Sequence, residues 1–154
     1  MIIFVINIMA AVKILLSVEK FLKRRVIKTV IYTSYFTKLN ELENHNIIPI
    51  SICAKAPDWY KGLQYKKLAP KYGFFMNWKK NHDNDYYIEH FQAEVLDGLD
   101  AATVVNELNY LVPNVNGKNI ALICYEKPSD FCHRHLVAEW LKQNGFKCEE
   151  WRSK

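Results

Sequence analysis

The feature that most constrains the fold is a continuous apolar run at residues 119–125, NIALICY, which lies between a turn-forming segment and a polar segment. The run has the length of a strand rather than that of a long helix. Strands that are apolar on both sides are typical of parallel sheets whose two faces are covered. Because parallel neighbours are joined by crossover connections, usually helices, the run predicts an α/β fold.

Strands and helices alternate along the rest of the chain. Runs of β-branched and apolar residues predict further strands at residues 26–33, 47–54 and 146–151. Helical patterns predict helices at residues 38–44, 86–96 and 100–111, and a last helix capped by Ser129. Residues 57–85 have no clean period and are predicted to form a long connection. We therefore expect one domain over residues 26–154, a small, mostly parallel sheet of about four strands with helices on both faces, in a Rossmann-like three-layer arrangement.

Residues 1–25 precede this domain as an apolar extension that ends in a basic cluster. On a helix, Lys13, Ser17, Lys20 and Arg24 share one face and apolar side chains line the other, which predicts an amphipathic helix. Its apolar run falls short of the roughly 20 residues of a spanning helix, and it lacks the cleavage site of a signal peptide. Two interpretations follow: a helix packed on the core, or peripheral contact with an anionic membrane.

Composition narrows the classes of protein and of partner. Half of the 154 residues are hydrophobic, which excludes disordered and low-complexity classes. The net charge of +5 favours a small phosphate-bearing molecule or a nucleic acid as partner, and the sequence identifies no partner protein. The four cysteines are mostly far apart, and a chain of this length needs no disulfides. Without an export signal, we predict a reducing, cytoplasmic location.

The polar segment after the apolar run concentrates chemically active side chains. It holds Cys124, Glu126, Cys132, His133 and Arg134 where the predicted strand gives way to a helix. Ligands of open α/β sheets bind at the carboxyl ends of the strands. Cys132 is expected in the first helical turn, where unpaired N–H groups stabilise a thiolate. The segment therefore predicts a reactive thiol or a bound anion.

Two other interpretations of this segment stay open. In the first, Cys132 and His135 are three residues apart on one helix face and bind zinc together with Cys124. In the second, the segment is structural: Cys124 is a packing residue, and the Glu126 side chain pairs with Arg134.

A basic and aromatic stretch follows the second predicted strand. Residues 61–82 hold six lysines and no acid, interleaved with tyrosine, phenylalanine and tryptophan. Cations for phosphate and rings for stacking are typical of nucleotide and single-strand binding, although the rings could equally anchor a loop to the core. The candidate ligand-binding residues here and after the first two strands are Ser34, Lys55, Tyr60, Lys66 and Trp78.

The sequence also resembles the domain of unknown function 488 family. The resemblance rests on a strand that ends in Cys124 and Glu126 and is followed by Cys132, His133 and Arg134, and it covers residues 26–152. It implies the α/β fold and a site at these residues, but no settled reaction. Many members carry Asp-x-Arg after the second strand, where this chain has SICAK at positions 51–55, so no arginine role is carried over there.

The leading functional hypothesis is an enzyme that acts on a nucleotide, a nucleic-acid base or another phosphate-bearing substrate. Cys132 would be the nucleophile or redox thiol, Glu126 the general acid or base, and His133 a proton shuttle. Arg134 and Lys55 would hold the anion. The alternatives are a noncatalytic nucleotide or nucleic-acid binding module and a zinc-supported domain; apart from that zinc, we expect no cofactor.

Overall fold

The computed structural model describes residues 30–112 and 118–152. The predicted N-terminal helix, the first residues of the first predicted strand and the turn at residues 113–117 lie outside the described residues. None of the helices within the described ranges combines the length and the hydrophobicity needed to cross a bilayer.

The described residues form one parallel sheet of five strands in the order β3-β2-β4-β1-β5. The strands are β1 (Ile31–Tyr35), β2 (Ile47–Ser51), β3 (Leu63–Gln64), β4 (Asn119–Cys124) and β5 (Cys148–Glu150). The predicted α/β fold with a parallel sheet is thus confirmed. The strand beyond the four expected is β3, which pairs with only two residues of β2.

Helices cover both faces of this sheet. They are α1 (Leu39–Asn44), α2 (Tyr72–Asn81), α3 (Asn84–Phe91), α4 (Ala101–Leu111) and α5 (His133–Gln143). Helix α3 continues into a π-helical turn at Gln92–Leu96, and short 3-10 turns lie at Phe36–Lys38 and Lys66–Leu68. Each side of β4 faces a separate core. On one side, Ile120 and Leu122 pack with α3, α4 and α5. Ala121 and Ile123 pack on the opposite side.

The prediction of a long connection at residues 57–85 is wrong. The segment contains β3, one 3-10 turn and the ten-residue helix α2. Only Phe74 of α2 is fully buried, whereas Phe75 and Trp78 are partly buried and Tyr72 is exposed. Phe74, Phe75 and Trp78 share one face of α2, but Tyr72 lies off that face, so the helical period is not clean.

A buried tyrosine fixes the loop between β2 and β3. The Tyr60 hydroxyl lies 3.1 Å from each of two carbonyl oxygens, those of Pro49 and Leu63, and can donate to either. Its ring lies directly against Gly62, where an added Cβ would come within 2.5 Å of the ring and its oxygen. Because the Tyr60 ring approaches the backbone this closely, position 62 requires glycine.

Substituting Gly62→Ala is expected to lower the free energy of unfolding by about 1–3 kcal/mol, because the buried, hydrogen-bonded Tyr60 cannot move aside without loss. Urea denaturation followed by circular dichroism measures this. The matched control is Gly73→Ala on α2, where a Cβ meets nothing within 4 Å and stability should stay level or rise. Equal stability of Gly62→Ala and the unmodified protein would contradict this interpretation.

Candidate active site

The carboxyl ends of two neighbouring strands and the start of α5 meet at one cavity. Cys124 is the last residue of β4, Cys53 follows β2 by two residues, and Cys132 is the N-cap of α5. All three line a cavity of about 600 Å³, which we call the thiol cavity. This volume lies within the usual range of small-molecule sites.

The orientation of the His133 ring follows from its hydrogen bond to the main chain. His133 Nε2 lies 2.9 Å from the carbonyl oxygen of Ile52. Because a carbonyl only accepts, Nε2 must carry the proton. Nδ1 therefore faces the sulfurs of Cys124 at 3.8 Å and Cys132 at 3.9 Å. Neutral His133 can accept a thiol proton there, and protonated His133 can donate to a thiolate.

The surroundings of Cys132 and Cys124 shift their pKa values in opposite directions. A hydrogen bond from Cys124 lowers the pKa of Cys132, and the neighbouring His133 adds to this against the effect of burial. Hydrogen bonds to Cys132 and Cys53, together with burial, raise the pKa of Cys124. We therefore assign Cys132 as the thiolate and Cys124 as a thiol that donates to it. The start of α5 favours the same assignment, because the positive end of the helix dipole stabilises a thiolate.

The sequence placed Cys132 inside the first helical turn, and this is wrong by one position. Cys132 has an extended backbone with φ −154° and ψ 138°, and the helix begins at His133. Ser129, the predicted cap, lies in the turn before it. The spacing argument that placed Cys132 and His135 on one helix face consequently fails.

Glu126 also lines the thiol cavity, two residues beyond the end of β4. Burial, and then the negative charge of Cys132, raise the pKa of its carboxyl group. Among the described residues, its buried Oε2 has no hydrogen-bond partner. A carboxyl group in this setting can hold a proton and deliver it into the cavity.

Arg134 is fully buried and is not among the residues that line the cavity. Its Nε and Nη2 lie 3.3 and 3.2 Å from the two carboxylate oxygens of Glu150 on β5. Its Nη1 donates to the main-chain oxygen of Glu126 at 2.7 Å. The expected pairing with the Glu126 side chain is therefore wrong. With these bonds in place, the guanidinium positions the Glu126 backbone rather than facing a ligand in the cavity.

Aromatic side chains form much of the remaining lining. Helix α2 contributes Tyr72, Phe75 and Trp78, and the lining also includes Tyr87, Tyr125 and Phe131. The Trp78 ring lies 5.5 Å from that of Phe131, and its Nε1 donates to Asn84 at 2.8 Å. Lys55 and Lys79 line the same cavity and are exposed. The structure thus brings Lys55 and Trp78 to the thiols.

Three other predicted ligand residues lie outside this lining. Ser34 is buried in β1, and its hydroxyl has no partner among the described residues. Tyr60 holds the loop described above. Lys66 Nζ donates to the carbonyl oxygens of Cys53 and Ala54, both at 2.9 Å, and so holds the loop that carries Cys53.

The candidate metal ligands that lie close together in the structure differ from the predicted set. Cys124, Cys132 and His133 present ligand atoms that all lie within 4.8 Å of one another, and His133 takes the place expected for His135. Three ligands are fewer than the four of a structural zinc site. The zinc-supported domain stays a prediction.

Cys53 is the site residue that the sequence analysis missed. Its sulfur lies 3.3 Å from that of Cys124. A signal was present in the sequence, because Cys53 lies near the end of the second predicted strand, as Cys124 lies near the end of the apolar run at residues 119–125. Parallel neighbours end at the same edge of a sheet, so the two cysteines had to be close.

Comparison with known proteins identifies the family of the chain. A family model described as DUF488-N3a, Active DUF488-N3 subclade, matches residues 39–145. This range is more than half of the chain and includes the thiols, Glu126, His133 and Arg134. No curated protein and no solved structure shows significant similarity to the chain. The chain belongs to the DUF488 family.

Proposed function

We propose that this protein is an enzyme whose Cys132 thiolate attacks an electrophilic carbon of a nucleotide, a nucleic-acid base or a similar planar, phosphate-bearing substrate. One observation carries the proposal: His133, held by the Ile52 carbonyl, directs Nδ1 at Cys132 on the wall of an open cavity. A thiol paired with an oriented imidazole is the arrangement of an activated nucleophile.

The residues around Cys132 suggest how the step proceeds. The sulfur forms a bond to the substrate carbon as the bond from that carbon to its leaving group breaks. The Glu126 carboxyl group, whose pKa is raised, gives the leaving group a proton. Water then breaks the sulfur–carbon bond while the Glu126 carboxylate accepts its proton. Arg134 acts as a positioning residue, because it holds the Glu126 main chain.

The cavity lining supports the class of substrate. Trp78, Phe75 and Tyr72 offer ring faces for stacking on a planar group. Lys55 and Lys79 provide positive charge next to those rings, which suits a phosphate. The same lining would also serve a noncatalytic binding module, so only a test of Cys132 separates the two functions.

Trp78→Ala is expected to weaken binding of a fluorescent nucleoside phosphate by about 1–3 kcal/mol, because it removes a stacking surface. Fluorescence anisotropy with labelled nucleoside mono-, di- and triphosphates measures this. The matched control is Tyr110→Ala, since Tyr110 is 92% exposed on α4 and does not line the cavity. Equal affinity of the Trp78 and Tyr110 variants would contradict the proposed substrate class.

Covalent capture tests the catalytic step. The protein is incubated with a panel of nucleotides and short oligonucleotides, quenched with acid, and analysed by mass spectrometry for adducts at Cys132. We expect an adduct that Cys132→Ser eliminates while nucleotide affinity is retained. Binding and turnover that are both unchanged in Cys132→Ser would exclude the nucleophile role and favour a different catalytic group.

A further inference from the structure

Three sulfurs lie next to one another in the thiol cavity, and the proposed reaction uses only one of them. Cys53 Sγ is 3.3 Å from Cys124 Sγ. Cys124 Sγ in turn lies within 4.8 Å of Cys132 Sγ. Cys124 is therefore a neighbour of both other sulfurs. All three are free thiols, and all three line the cavity, which gives small molecules access to them.

The backbone places Cys53 and Cys124 where a bond between their sulfurs is feasible. Cys124 ends β4, and Cys53 follows the neighbouring strand β2 on a short loop. The loop is held by Lys66 and by a bond from Ile52 N–H to the Ile123 carbonyl at 3.1 Å. Because their sulfurs are already closer than two unbonded sulfurs usually pack, only a small movement would bring Cys53 and Cys124 to bonding distance.

We propose that Cys53 and Cys124 form a reversible disulfide that is assembled through Cys132 when a hydroperoxide oxidises the Cys132 thiolate. The inference rests on the proposed function in one respect, because both reactions use the Cys132 thiolate. It assigns the cavity a second chemistry, with hydroperoxides as the reacting class.

The first step oxidises Cys132 alone. Its thiolate attacks the terminal oxygen of the hydroperoxide; an S–O bond forms, the O–O bond breaks, and the alcohol, or water for hydrogen peroxide, leaves with a proton from His133. Cys132 is now a sulfenic acid. Cys124 then attacks the Cys132 sulfur as a thiolate; an S–S bond forms, the S–O bond breaks, and the departing hydroxide takes up the Cys124 proton as water.

The second exchange transfers the disulfide to Cys53 and Cys124. Cys53 attacks the Cys124 sulfur, its proton passes to His133, and Cys132 leaves as a thiolate. In total, two thiols are oxidised to one disulfide, and the hydroperoxide is reduced to an alcohol and water. The final position follows from the geometry, because Cys53 Sγ and Cys124 Sγ already lie 3.3 Å apart. Cys132 is the N-cap of α5, where the positive end of the helix dipole favours its departure as a thiolate.

Peptide mapping after oxidation tests the inference without any substrate. The full chain is treated with hydrogen peroxide, remaining thiols are alkylated, and the protein is digested without reduction. Trypsin alone leaves Cys124 and Cys132 in one peptide, because Lys127 precedes Pro128. A second protease that cleaves after Glu126 separates them. We expect a peptide pair linked through Cys53 and Cys124, which a dithiol reductant releases.

Three variants give the order of the steps. Cys53→Ser is expected to stop the relay at a Cys124–Cys132 link, and Cys132→Ser to slow formation of the Cys53–Cys124 link by about tenfold or more. Cys148→Ser is the control, since Cys148 is buried on β5 and does not line the cavity. The Cys148→Ser variant should form the Cys53–Cys124 link at the same rate as the unmodified protein.

Two results would overturn the inference. One is a Cys53–Cys124 link that forms at the unmodified rate in Cys132→Ser; the other is further oxidation of Cys132 while Cys53 and Cys124 stay reduced. Circular dichroism of each reduced variant, and Cys53→Ala beside Cys53→Ser, separate misfolding from altered chemistry. Absence of a nucleotide adduct would contradict only the proposed function, because no nucleotide is present in this experiment.

Discussion

Cys132 will react with iodoacetamide at about pH 6, where an ordinary thiol of pKa about 8.5 is less than about one per cent thiolate. The hydrogen bond from Cys124 and the neighbouring His133 lower the pKa of Cys132, so that its thiolate persists as the pH falls. Between about pH 6 and pH 8 its alkylation rate should therefore be nearly constant. Quantitative peptide mass spectrometry over a pH series gives the rate at each cysteine.

The chain supplies an internal control and a variant for this prediction. Burial raises the pKa of Cys148 to about 12, so its alkylation should be negligible over the same pH series. His133→Ala removes a group that stabilises the thiolate, which raises the pKa of Cys132. The rate at about pH 6 should then fall by about tenfold to a hundredfold and recover at high pH, where both proteins are ionised. A Cys132 rate that rises with pH like that of an ordinary thiol would contradict the assignment.

Arg134→Met is expected to lower the free energy of unfolding by about 3–5 kcal/mol, because it leaves a largely buried carboxylate without its charged partner. The Arg134 side chain has no exposed area, and that of Glu150 is only 17% exposed. Thr33, whose hydroxyl donates to Glu150 at 2.6 Å, cannot replace a cation. Urea denaturation followed by circular dichroism measures the loss.

Two further variants make the Arg134 result specific. Lys142→Met disrupts an exposed pair with Glu139 and should change stability by less than about 1 kcal/mol. Adding Glu150→Gln to Arg134→Met removes the unpaired charge and should restore part of the loss. If Arg134→Met alone stays within about 1 kcal/mol of the unmodified protein, the buried pair does not stabilise the fold as argued.

The sequence predicted the centre of this fold better than its periphery. The run at residues 119–125 indicated a strand with two covered sides, and β4 has its own core on each side. Helix α2 was missed because its aromatic residues serve both the core and the cavity. A periodicity argument detects a clean hydrophobic stripe, and Tyr72 lies off the face of α2 that Phe74 and Trp78 share.

For the candidate site, the sequence indicated which residues matter more reliably than how they are arranged. The sequence analysis identified four residues from one segment, and they do meet at the thiol cavity: Cys124, Glu126, Cys132 and His133. The partner of Arg134 could not be predicted, since Glu150 is sixteen residues away and reaches it only because β5 pairs with β1. The direction of the His133 ring depends on its hydrogen bond to the carbonyl of Ile52, which lies 81 residues away in the sequence and outside the motif.

The bond between His133 and the Ile52 carbonyl has a consequence for how robust the site is. In many hydrolases a carboxylate holds the histidine, so one substitution or one protonation releases it. A peptide carbonyl does not titrate and belongs to every residue type, so neither a side-chain exchange at position 52 nor a change of acidity removes this support. The imidazole of this protein should keep its alignment under any condition in which the end of β2 stays folded.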